Sequence, residues 1–65
     1  MTADEAIAIA KSVAEQIGWT WRGTAIARRI ASGYEVRSNA GMLGCNVVME
    51  IADGGAIIRA AFLPR

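Results

Sequence analysis

The stretch "CNVVMEIADGGAIIRAAFL", Cys45 to Leu63, decides the fold. In its first half Cys45, Val47, Met49 and Ile51 alternate with Asn46, Val48 and Glu50, the period of two of a strand with one face turned to a core. "DGG", Asp53 to Gly55, marks a hairpin, because both central positions of a type I′ turn need positive φ and glycine takes it without steric penalty. "AIIRAAFL" then returns as a last strand that ends at Pro64.

Working outward toward the N-terminus, "AGMLG", Ala40 to Gly44, is a connection, and "YEVRSN" before it alternates Tyr34, Val36 and Ser38 against Glu35, Arg37 and Asn39. "ASG", Ala31 to Gly33, reads as the preceding turn. "WTWRGTAIARRI", Trp19 to Ile30, is too long for one flat strand, and Gly23 inside it is the natural place for a bulge. Before Trp19 the period changes from two to that of a helix. "TADE" is a capping box, in which the Thr2 hydroxyl accepts from the Glu5 amide and the Glu5 carboxylate reaches back to the Thr2 amide. Asp4 and Glu5 then meet the positive end of the helix dipole. Ala3, Ala6, Ile7, Ala10, Val13, Ala14 and Ile17 form one apolar stripe, and Gly18 supplies the stop. Ile9 falls off the stripe, on a side expected to be exposed. The predicted fold class is α+β: one N-terminal helix packed on a four-stranded antiparallel β-meander, as a single domain over residues 1–65.

A chain of 65 residues buries only about 60% of the surface its unfolded form exposes, and so its stability is expected to be thin. Disulfides, metals and self-association are the usual remedies. One cysteine rules out an internal disulfide, and with no histidine the common zinc ligand sets are missing, which leaves self-association. No run is apolar enough for a membrane span, and "MTADEAIAIA" carries acidic residues where a signal peptide needs basic ones, so a reduced, cytoplasmic setting is the expectation. A net charge of +1 gives little attraction for nucleic acid or an anionic membrane, and neither is expected as a partner.

No catalytic motif emerges. Cys45 has no histidine to activate it and reads as a small core residue. Gly54 and Gly55 precede a strand, so they form no phosphate loop, and no cofactor or metal is expected. Arg28, Arg29, Arg37 and Arg59 could line a cationic strip that binds a phosphate or carboxylate, but the alternation splits Arg28 from Arg29, and Glu35 and Glu50 stand on neighbouring strands where cross-strand ion pairs form. Trp19 and Trp21 share a face if the chain is extended, and two uses are open to them: the bulk of a core with few other large groups, or a platform for a ligand. Met42 and Leu43, between Gly41 and Gly44, are either a cover over the core or an apolar tip that fits a partner.

The order of helix, strand, "GYEVRS" and "NVVMEIADGGAII" resembles the PepSY-like domains. "EAIAIAKSV" is similar to the family's short alanine-rich helix, and "MEIADGGAII" to its closing hairpin; "ADGGA" and the tail "RAAFLPR" depart from its pattern. A similar layout occurs in small immunity proteins that neutralise toxins. Either resemblance implies a job of binding, often inhibition, without catalysis.

The leading expectation is therefore a non-enzymatic protein-interaction module acting as a homodimer. One helix cannot cover four strands, and the partner surface is expected on the open sheet face, with Met42, Leu43, Val48, Ile57 and Ile58. The alternative is a dimer that encloses an apolar ligand cavity lined by Trp19, Trp21, Tyr34 and Met49.

Overall fold

The computed structural model describes residues 1–41 and 44–63. Helix α1 (Ala3–Ile17) is followed by strands β1 (Ile26–Ile30), β2 (Gly33–Arg37), β3 (Asn46–Ala52) and β4 (Ile57–Leu63). The strands pair antiparallel in the order β1-β2-β3-β4, which is the expected meander.

The capping box forms as read: the Glu5 amide donates to Thr2 Oγ1 at 3.2 Å and the Thr2 amide to Glu5 Oε1 at 2.7 Å. Gly18, at φ 95°, closes the helix and donates to the Ala14 and Glu15 carbonyls. Ala6, Ala10 and Ala14 bring the helix close to the sheet and are fully buried. Ile7, Val13 and also Ile9 pack on the same cluster, while Ile17 at the end of the stripe is exposed. The other side of the core is Val36, Val47, Met49 and Ile51, so the centre is made of few and mostly small groups.

The segment Trp19 to Ala25 is not strand. The Asn39 and Ala40 amides donate to the Arg22 and Thr24 carbonyls at 2.8 Å, across Gly23, so this stretch is bound to the β2–β3 connection and regular pairing starts only at Ile26. Gly33, expected in the turn, begins β2, and a Cβ there would lie 1.9 Å from the Ile51 carbonyl oxygen. Close strand approach, not turn conformation, is what requires this glycine. The "DGG" hairpin exists but is not type I′. Gly55 donates to the Ala52 carbonyl and Ala52 to the Ala56 carbonyl, and only Gly55 of the two glycines has positive φ, 95°. That is a three-residue loop closed by a glycine bulge. Cys45 lies in the approach to β3 with φ 54°, half-buried, instead of inside the strand as a core residue.

α1 packs on β1, β2 and β3, and its backbone stays clear of β4, which reaches the core through Phe62. The uncovered strand is at the edge of the sheet. This asymmetry sets the character of the surface.

Candidate functional site

Antiparallel partners share a face, and so the register sorts the sheet into rows. On the helix side run Ala27, Val36, Met49 and Ala60, and next to them Arg29, Tyr34, Ile51 and Ile57. On the open side the central row is Arg28, Glu35, Glu50 and Arg59. Two carboxylates stand directly opposite one another there, which is unfavourable alone. Each is matched outward: Arg28 Nη2 is 3.2 Å from Glu35 Oε1, and Arg59 Nη2 is 3.5 Å from Glu50 Oε2. The face is crossed by a row with two carboxylates at its centre and an arginine at each end, neutral as a whole.

The row beside it is Ile26, Arg37, Val48 and Ala61. Val48 does fall on the open side, but only 8% of it remains exposed. The apolar exposure is elsewhere. Of the six large apolar residues that are exposed among the described ones, Ile57 (38%), Ile58 (49%) and Leu63 (43%) all belong to β4. Ile57 pairs with Ile51, a helix-side position, and Ile58 is the extra residue that a bulge inserts between the pairs Ile51 with Ile57 and Glu50 with Arg59. Met42 and Leu43 lie outside the described residues.

Main-chain directions complete the description of this edge. Ser38 donates to the Val47 carbonyl at 2.9 Å, so Val47 turns its backbone groups toward β2, and Ala52, which donates to Ala56, turns its own toward β4. By the alternation of an antiparallel ladder, Val48 also faces β4 and is bonded to its partner Ala61. Ala60 and Phe62 then turn their N–H and C=O groups outward, away from the sheet.

The four residues expected to line a cavity between two copies gather around the core of one chain. Met49 is fully buried, Trp21 and Tyr34 are half-buried against the core cluster, and Trp19 stacks on Phe62 with centroids 5.8 Å apart and planes at 18°. The pair Trp19 and Phe62 ties the far end of β4 to the helix stop. An open groove of about 540 Å³ lies between α1 and the β3–β4 hairpin, lined by Met1, Glu5, Ala8, Ile9, Asp53, Gly54 and Gly55. Its volume is in the range of ligand sites. Both of its carboxylates are engaged, however: Glu5 in the capping box, and Asp53 in a two-pronged bond with Arg29 at 2.5 and 3.0 Å. The hydrogen bond from Arg29 is the main reason why the Asp53 carboxyl is held below the usual aspartate range.

Arg29 was legible only as one of several arginines. It also lies over the Tyr34 ring, 5.4 Å from its centroid, so it reaches from β1 across β2 to the far hairpin turn. A second polar device sits at the β2–β3 connection. Asn46, on the face opposite Val47 and Met49, is buried and donates to the Ser38 and Asn39 carbonyls, while Asn39 donates to the Gly44 carbonyl at 2.8 Å. Asparagines at both ends of a connection are the signal that pointed to this clamp. Among the described residues no group of three or more His, Cys, Asp or Glu side chains is placed to hold a metal ion. No helix among them is long and apolar enough to cross a membrane.

The chain matches no family model, no curated protein and no solved structure.

Proposed function

We propose that this protein is a non-enzymatic interaction module that acts as a homodimer. The observation that carries this reading is β4: an edge strand that no helix covers, with Ile57, Ile58 and Leu63 exposed along it. An apolar strand edge left bare is a hazard unless a partner covers it. The neutral ladder on the open face adds to this, since Arg28 and Arg59 are already matched by Glu35 and Glu50 and are not free to collect an anion. Helix followed by meander is also the order of the PepSY-like layout, whose implied role is binding, and a reduced cytoplasmic setting suits a chain with a single thiol.

Sedimentation over a hundredfold dilution series tests the reading. A dimer that dissociates reversibly at the dilute end is expected. A monomer at every concentration would overturn it.

A further inference from the structure

The homodimer reading leaves open which surface the two copies share, and the following rests on that reading. We infer that the occupant of the β4 edge is β4 of a second copy, paired antiparallel about a two-fold axis at its middle, so that the two sheets join into one of eight strands.

The two edges of the sheet differ in what self-pairing would do to their charges. In β1, "IARRI", the middle residue is Arg28, and a two-fold axis there sets Arg28 directly against Arg28 of the other copy. Like charges opposite one another destabilise an antiparallel pair. In β4, "IIRAAFL", the middle residue is Ala60. An axis at Ala60 sets Arg59 opposite Ala61 of the other copy, and an axis one residue further on sets it opposite Leu63. In neither register do the two Arg59 side chains meet directly, and each is already paired with its own Glu50 at 3.5 Å. The β4 edge, with no like charges opposed about its middle and with Ile57, Ile58 and Leu63 exposed along it, suits a copy of itself better than the shorter β1 edge does.

Hydrogen bonding is satisfied by the same axis. Ala60 and Phe62 are the residues whose main-chain groups face outward, so two copies of Ala60 exchange a pair of N–H to C=O bonds across the axis. Pairing with β1 of another molecule would instead be head-to-tail, and such contacts propagate as open filaments unless they close into a ring. An in-plane pair has its two-fold axis normal to the sheet, and both helices then stand on one side of it. The helix-side strip over β4 becomes the floor between them, with Ala60 and Phe62 from each copy.

The test uses the full chain made by chemical synthesis with an N-methyl group on Ala60. The modification removes one outward donor and leaves the β3–β4 ladder intact, which far-ultraviolet circular dichroism and the thermal midpoint of the dilute protein check. Two lost bonds across the axis are expected to raise the dimer dissociation constant more than about tenfold. Ile26→Lys, on the open face, is the comparison and is expected to leave the constant within about twofold. A dimer that survives the methyl group but falls apart in Ile26→Lys would overturn edge pairing and keep the homodimer reading. A wild-type chain that is monomeric throughout would overturn both.

Discussion

Ser38 is fully buried, and its hydroxyl accepts the Val47 amide at 2.8 Å where the β2–β3 ladder runs out. Ser38→Ala keeps the volume but strands that amide in the core, and the expected loss is about 1–3 kcal/mol, read from urea unfolding. A loss within error would mean that the amide finds water. Asp53 supplies the pH dependence. Its carboxyl is depressed in the folded chain by the Arg29 hydrogen bond, so its contribution is present above the unfolded aspartate value and disappears as pH falls through the folded one. An NMR titration is expected to show an Asp53 midpoint below the usual range, and Arg29→Gln to bring it back up; an unmoved midpoint would dismiss the pair. Both groups are exposed, so the effect shrinks in high salt. Neither role is written in the sequence. Ser38 appears there as one more inward position of an alternating strand, and Asp53 as a turn residue, because both depend on partners nine and 24 positions away.

Each element was legible wherever local chemistry alone decides it. The capping box, the alanine stripe and the glycine stop fix α1, and alternation fixes β2 and β3. What failed depended on a second segment. Trp19 to Ala25 alternates as a strand does, but its backbone bonds go to Asn39 and Ala40, and the type I′ hairpin gave way to a loop set by the bulge at Ile58 and by Gly55. The shift of attention from Val48 to β4 has the same origin, because alternation assigns a face but not what shields it: Val48 is flanked by Arg37 and Ala61, and β4 by one strand only. Hydrogen exchange reads the difference directly. The Ala61 amide, bonded to β3, is expected to be protected at all concentrations, whereas protection of the Ala60 amide rises with concentration. Equal protection of the two in dilute solution would contradict the main-chain directions described for β4.

For the molecule as a whole, a surface of 3956 Å² is close to the roughly 4,000 Å² expected of a compact chain of this mass, so the packing is not loose. The weakness lies in what is enclosed, since three of the seven buried core residues, all those from the helix, are alanine. The bond from Arg29 to Asp53, and that from the Asp53 amide to the Ser32 carbonyl at 2.9 Å, compensate by tying the two hairpin turns together at one end of the sheet. The strand order β1-β2-β3-β4 bears on time as well as on stability. Every strand pairs with its neighbour in the sequence, and the helix lies first on the strand that follows it, so no strand pairing waits for a distant piece of chain to diffuse in. The entropy lost in closing each loop is small and is recovered one hairpin at a time. Such a chain spends little time with its strands unpaired, and that brevity protects a sequence whose last strand would otherwise have many chances to find the wrong neighbour.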